Sequence, residues 1–344
     1  MSYKQMTGNI ISATKVEPDG KFTNSAASGV WNLQDAYDYT RGANWPNVSN
    51  LEPIVGLFAL ARPGGGDASD TIDQVNTVSE GNATDFGNLR IARTSMAALA
   101  SATRGVFGGG YADYGANADR IDYVTIASAG NAATFGNLTV AREGVRGLSS
   151  ATRGVFGAGY TSSNVNTMDY ITIANTGNAT DFGDLTAARQ ISSGAASPTR
   201  GLFAGGSSAT NIVDYITIAS AGNASDFGYL IAATLAPSGA SSSTRALFSG
   251  GLANSGYTAV IDYFTIASTG NGTDFGDLTV ARYSTGGCSN SIRALTAGGG
   301  YSGGFSNTID FVVIATTGNA SDFGDLTATA YSGSGCCGSH GGIA

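Results

Sequence analysis

Residues 266–282 read IASTGNGTDFGDLTVAR, and close variants of that string occur six times along the chain. Each copy holds a Gly-Asn pair, and the glycines are Gly81, Gly130, Gly177, Gly222, Gly270 and Gly318. They are separated by 49, 47, 45, 48 and 48 residues. A phenylalanine five residues after each glycine keeps the same steps: Phe86, Phe135, Phe182, Phe227, Phe275 and Phe323. So does an aspartate eight residues before it: Asp73, Asp122, Asp169, Asp214, Asp262 and Asp310. From aspartate to phenylalanine the unit is constant in length. The variation falls outside that span, and this locates the loops.

A repeat of this period decides the architecture before any local reading does. Within one unit, GVFGGG (105–110) is a β-rich run that ends in glycines, and IDYVTIA (121–127) alternates apolar and polar residues as a half-buried strand does. The Gly-Asn pair that follows suits a turn whose central residues need positive φ. TFGNLTV (134–140) is a third strand, and REGVRGLSSAT (142–152) is a small-residue strand leading into the next RGVF. Four short antiparallel strands per unit make a propeller blade. β-Helix and leucine-rich repeats are roughly half that length. The expected fold is therefore all-β, a six-bladed β-propeller of four-stranded antiparallel blades over residues 53–344. The repeated phenylalanine should wedge between blades, where burial contributes roughly 1.5–3 kcal/mol. Runs such as SGAASP (193–198) and STGGCSNS (284–291) suit the crowded innermost position.

The two ends of this region complement each other. In AYSGSGCCGSHGGIA (330–344), Tyr331 matches Tyr283 and Cys336 matches Cys288 of RYSTGGCSNSIRALT (282–296). The C-terminal segment thus supplies one more innermost strand. The unit that starts near IVGLFAL (54–60) has none before it. Residues 331–342 are expected to complete that first blade, so that no sheet edge is left raw.

Composition excludes several functions. The chain has 51 glycines and 12% charged residues, which suits tight turns and strands better than helices. A net charge of −8 argues against nucleic acid, whose phosphates need a basic stripe. No apolar run approaches the ~18 residues of a membrane helix, and MSYKQMTGNIISA has no long apolar core of an export signal. Cys288, Cys336 and Cys337 form neither a disulfide framework nor a zinc spacing, and they read as small buried side chains.

The order of segments in the unit resembles the kelch repeat. That family has a diglycine ending its second strand, here Gly108-Gly109, Gly205-Gly206, Gly250-Gly251 and Gly298-Gly299. It has an aromatic in the fourth strand, here phenylalanine where tryptophan is usual. A terminal arginine follows at Arg93, Arg142, Arg189 and Arg282, with Thr234 and Ala330 in its place in two units. The resemblance implies a kelch-like propeller and says little of function.

Units built on this string are also similar to those of virion proteins from tailed phages of marine bacteria, tail-fibre-like or structural. ASGVWNLQDAYDYTRGANWP (27–46) is similar to a segment at the head of repeats in such proteins. It holds Trp31, Leu33, Tyr37, Tyr39 and Trp45, and Val30, Leu33 and Tyr37 share one face of a short helix. Residues 1–52 are read as a segment that docks onto another virion protein or forms the chain's own oligomer. Packing across a propeller face is the alternative. The resemblance implies residence in the virion.

No residues suggest catalysis, a cofactor or a metal. The single histidine, His340, falls in the expected closing strand, and no serine or cysteine has a triad-like partner. DFGD (274–277) lacks the dense oxygen ligands of a calcium loop and the tryptophan of a sialidase-type aspartate box. The repeated aspartate invites pairing between blades with the arginine of TRG: Arg104, Arg153, Arg200, Arg245 and Arg293. The loops between diglycine and aspartate run YADYGANADRI, YTSSNVNTM, SSATNIV, LANSGYTAVI and YSGGFSNTI, differing while their frame is fixed. All emerge on one face. Tyr111, Asp113, Tyr114, Tyr160, Tyr257, Tyr301 and Phe305 are the binding candidates there, for a host-surface glycan or protein. The expected role is a tail-fibre or receptor-binding component. The alternative is a head- or tail-decorating protein whose loops touch neighbouring virion subunits.

Overall fold

The computed structural model describes residues 54–61, 68–113, 115–207 and 209–343. Trp31, Leu33, Tyr37, Tyr39, Trp45 and Tyr114 lie outside the described residues, as does the whole segment 1–52. The described residues form a six-bladed β-propeller of antiparallel blades. From the axis outward, blade 2 consists of Ala97–Ala100, Arg104–Gly108, Arg120–Thr125 and Ala133–Asn137. Blade 3 consists of Arg146–Ser149, Arg153–Gly157, Thr167–Thr172 and Thr180–Asp184. Blades 4, 5 and 6 repeat the plan from Ser193, Ser238 and Gly286. Blade 1 takes its innermost strand, Tyr331–Cys337, from the C-terminus, and continues through Val55–Ala61, Ser69–Asn76 and Thr84–Thr94.

The closing ladder pairs Gly56 with Cys337, Leu57 with Cys336 and Phe58 with Gly335. It stops at Cys337, short of the expected residue 342. Residues 338–343 turn across the axis instead, and His340 lies in that turn rather than in the strand. Its Nε2 stands 3.1 Å from both the Ala100 carbonyl and Ser149 Oγ, each at the end of an innermost strand. The strand cannot run on, because the second strand it pairs with begins at Val55.

Six apolar clusters fill the six gaps between blades. One joins Val106, Ile121 and Phe135 of blade 2 to Phe156 and Ile171 of blade 3. Each repeated phenylalanine sits in such a gap, as a wedge should. Truncating one to alanine removes about 3–5 kcal/mol.

The opening string owes its constancy to a backbone contact between blades. Gly130 N–H donates to the Phe86 carbonyl at 2.7 Å, and Ala132 N–H donates to the Asn88 carbonyl at 2.8 Å. Asn131 Oδ1 accepts Asn88 N–H at 3.0 Å. The same three bonds recur at every gap, including the last, where Gly81 meets Phe323 and Asn82 meets Asp325. The Gly-Asn pair is thus not the hairpin turn expected of it. The chain reverses earlier, where Ser128 N–H reaches the Thr125 carbonyl at 3.2 Å, and the pair lies on the return segment. The glycine after each phenylalanine makes room for it. A methyl group on Gly183, whose φ is 132°, would stand 2.6 Å from the Gly222 carbonyl oxygen.

A second ring closes around the axis. Gly144, Ile191, Ala236, Ser284, Ser332 and Ser95 each donate a backbone N–H to the carbonyl of the preceding member, at 2.7–3.2 Å. All six are left-handed, with φ of 49–65°. For the five that are not glycine that conformation costs roughly 1–2 kcal/mol each, a strain the completed ring of hydrogen bonds offsets. Ser332 belongs to the C-terminal segment, so the ring exists only when the wheel is shut.

Deleting residues 333–344 abolishes cooperative thermal unfolding, read by calorimetry. Gly183→Ala costs about 2–4 kcal/mol in denaturant unfolding, from overpacking and the left-handed φ together. Gly177→Ala, whose added methyl meets nothing within 4 Å, stays within about 0.5 kcal/mol of wild type.

Candidate functional site

The repeated carboxylates are consumed by the fold. Asp169 of blade 3 accepts the Thr139 hydroxyl at 2.6 Å and Arg142 Nη1 at 2.8 Å, both reaching over from blade 2. Arg142 and Asp169 are fully buried, and Arg142 also donates to the carbonyls of Phe156 and Ala158. Arg93–Asp122, Arg189–Asp214 and Arg282–Asp310 repeat the pair at 2.7–2.9 Å. Removing one partner of such a buried pair costs about 3–5 kcal/mol.

The expected pairing with the TRG arginine is therefore wrong. Arg104 is in register with Thr125, three places along from Asp122, and cannot reach it. Its guanidinium lies 4.6 Å over the Tyr123 ring and donates to the carbonyls of Ile173 and Ala174 in the next blade. Arg153, Arg200 and Arg245 do the same over Tyr170, Tyr215 and Tyr263, while Arg293 lies over Phe311 and reaches Glu80 at 3.6 Å. These are cation–π clamps between blades.

One carboxylate breaks the pattern. Where blades 2, 3 and 5 offer the next blade threonine and arginine, blade 4 presents Ile231 and Thr234 to Asp262. It is 6% exposed, and its Oδ1 has no hydrogen-bond partner. Burial without an arginine pushes its carboxyl up to about 7, and the charge of Asp274 adds to that, while the Ile231 N–H opposes it. A cavity of about 30 Å³ beside it is lined by Phe248 and Gly250, the equivalents of Phe156 and Ala158 that hold Arg142.

The remaining candidate groups among the described residues are buried or engaged locally. No group of three histidine, cysteine or acidic side chains is placed to hold a metal. Asp274 Oδ1 accepts the Gly276 N–H at 3.2 Å, a local turn contact of the DFGD string. Burial raises all three cysteine thiols, so they carry no thiolate reactivity at neutral pH. The contact between Ser149 and His340 was not foreseen in the sequence, since the two lie 191 residues apart. It is not a nucleophile with its base. His340 Nδ1 accepts the Gly342 N–H at 3.0 Å, which leaves the proton on Nε2 as a donor. Burial lowers the pKa of the ring, and the Ser149 hydroxyl donates to the Ala100 carbonyl at 2.8 Å.

The loop face is where the repeat varies. Tyr111, Asp113, Tyr257 and Phe305 are exposed there, while Tyr160 and Tyr301 are half-buried. Tyr257 stacks on Tyr283 at 5.4 Å, and Phe305 stacks on Tyr331 at 4.4 Å. Tyr283 and Tyr331 occupy the same position after consecutive phenylalanines, so blades 5 and 6 carry an aromatic sector. Blades 2 to 4 are linked differently. Asn117 Nδ2 donates to the carbonyls of Tyr160 and Thr161, and Asn164 Nδ2 donates to Ser207 Oγ. Tyr111 starts a hairpin that pairs with Thr94 of blade 1. The candidates thus share one face, held by stacks on one side and amide bonds on the other.

Asp262 supplies the pH test. Its pKa is higher folded than unfolded, so the folded state holds the proton more tightly. Stability then falls as pH rises from about 4 to about 7 and stays reduced above that. Asp262→Asn raises unfolding free energy at pH 8 by roughly 2–4 kcal/mol and leaves it unchanged near pH 4. Thr234→Arg also stabilises at pH 8. Equal effects of Asp262→Asn at both pH values exclude the titration. No family model matches this chain, and no curated protein does.

Proposed function

We propose that the protein is a non-enzymatic attachment component of a tailed-phage particle, a kelch-like propeller whose loop face meets a glycan or protein of the host surface. Residues 1–52 join it to other virion proteins. One observation carries the reading: the two faces of the wheel differ in kind. The face bearing the Gly-Asn segments is built from the constant part of the repeat, and three hydrogen bonds at each gap tie it to the neighbouring blade. The other face exposes Tyr111, Tyr257 and Phe305 on loops that are pinned to one another.

Aromatic rings on a fixed frame offer large contact area with little loss of side-chain freedom, as recognition surfaces require. Serine and asparagine around them supply adaptable hydrogen bonds. The resemblance of the repeat to tail-fibre-like virion units supports reading this surface as one that meets the host. The non-enzymatic part of the reading draws on the use of Asp122, Asp169, Asp214 and Asp310 in ion pairs between blades and on His340 Nε2 as a donor.

The test uses purified full-length protein and particles. The combined variant Tyr111→Ala, Tyr257→Ala, Phe305→Ala is expected to bind host cells at least tenfold more weakly while melting within a few degrees of wild type. Antibody against the propeller is expected to label the tail and to block adsorption. Label spread over the capsid with adsorption untouched overturns attachment in favour of decoration. Cleavage of host polysaccharide by the purified protein overturns the non-enzymatic reading.

A further inference from the structure

Two residues beyond the left-handed ring, each innermost strand has one residue level with the loop-face mouth of the axial channel. In blade order from blade 2 these are Ala97, Arg146, Ser193, Ser238, Gly286 and Ser334. Five are small and one is an arginine. The register confirms the level, since Arg146 pairs with Gly157, where blade 3 leaves its second strand for the variable loop.

Arg146 is 5% exposed. Its one hydrogen bond among the described residues runs from Nη1 to the carbonyl of its own neighbour Val145, at 2.8 Å. Burial pulls its pKa down to about 10, and no carboxylate opposes that shift. The four other fully buried arginines differ, for each meets an aspartate at 2.7–2.9 Å. Even at this value the guanidinium stays charged at neutral pH. A buried, unpaired charge of this kind is strongly unfavourable unless a counter-charge reaches it.

The mouth provides the space for one. An open recess of about 30 Å³ is bordered by all six innermost strands, and no acidic side chain lines it. Ser193 stands at the same level in the next blade, and its hydroxyl makes no hydrogen bond among the described residues. Below this level the channel narrows. A methyl on Gly147 would lie 2.6 Å from the Ala98 carbonyl oxygen, and Gly194, Gly239 and Gly287 meet their neighbours as closely. The opening therefore admits a group of a few atoms and stops anything larger at the rim.

We infer that the axial mouth is an anion site, in which Arg146 and the Ser193 hydroxyl hold one small oxyanion group, a carboxylate or a sulfate. The guanidinium fork matches two oxygens of either group, and a bond of that kind is stronger than one between neutral partners. The group arrives either as a free inorganic anion or as the acidic substituent of a sugar. The site stands independently of the attachment reading, since it rests on the axis and not on the aromatic loops.

The test is a calorimetric titration of the full-length protein with sodium sulfate, sodium glucuronate and glucose, at ionic strength fixed with chloride. Wild type is expected to bind sulfate or glucuronate and to melt higher in its presence, with no response to glucose. Arg146→Met is expected to weaken binding at least tenfold and, without anion, to melt no lower than wild type. Ser193→Ala, which disturbs packing least, is expected to weaken binding several-fold. A response to sulfate alone assigns the site to free anions, and a response to glucuronate assigns it to acidic sugars. Failure of both anions to bind wild type, or equal binding by both variants and wild type, overturns the site.

Discussion

Each blade is held to the next by three hydrogen bonds between the Gly-Asn return segment and the strand that carries the phenylalanine. The outermost strand of a blade pairs with only one neighbour in its own sheet, so its other edge would present unpaired N–H and C=O groups. The Phe86 carbonyl and both backbone groups of Asn88 lie on that edge, and the following blade covers them. The contact leaves no room for a Cβ after the phenylalanine, which fixes the glycine there. It also sets the spacing between blades, and so the width of the gap that the phenylalanine fills.

Each copy of the repeat must therefore work twice. Its aspartate and Gly-Asn pair receive the preceding blade, while its phenylalanine, threonine and arginine reach to the following one. An insertion between aspartate and phenylalanine would break the contacts on both sides at once, whereas an insertion in the loop breaks neither. The same logic shows in the units that depart from the pattern. Thr234 for arginine is accompanied by Ile231 for threonine, and together they leave Asp262 without its usual donors. Ala330 for arginine is not, and Thr327 still donates to Asp73 at 2.7 Å.

Blade number, strand order and closure were legible because period and composition report them directly. The seat of each phenylalanine in a gap followed from its size alone. Partner choice was less legible, since it depends on register. Both Arg104 and Arg93 recur with Asp122, and only the pairing of Arg104 with Thr125 shows which one the aspartate reaches. The Gly-Asn pair looked like a turn because hairpin turns favour those residues; that preference says nothing of a contact to another blade. The left-handed ring was not legible at all. Ile191 and Ser284 have no local reason for positive φ, and adopt it because six chains converge at one level. Arg146 did leave a trace, since REGVRGLSS carries a cation where the aligned STGGCSNS has glycine, but only the axis gives that difference meaning.

A wheel of near-equal blades makes its exceptions comparable, and the two buried charges without ordinary partners show how differently they are tolerated. Asp262 escapes by holding a proton, because a carboxyl group has a neutral form within reach of neutral pH. Its isolation therefore appears as a pH-dependent loss of stability and calls for no ligand. Arg146 has no such escape, as burial brings its pKa only to about 10. Drift that merely removes an interaction leaves a cavity, as beside Asp262. An arginine in a ring of serine, alanine and glycine adds a charge that the fold does not use, at the centre of the face that varies. Of the two exceptions, only Arg146 needs a partner from outside the chain.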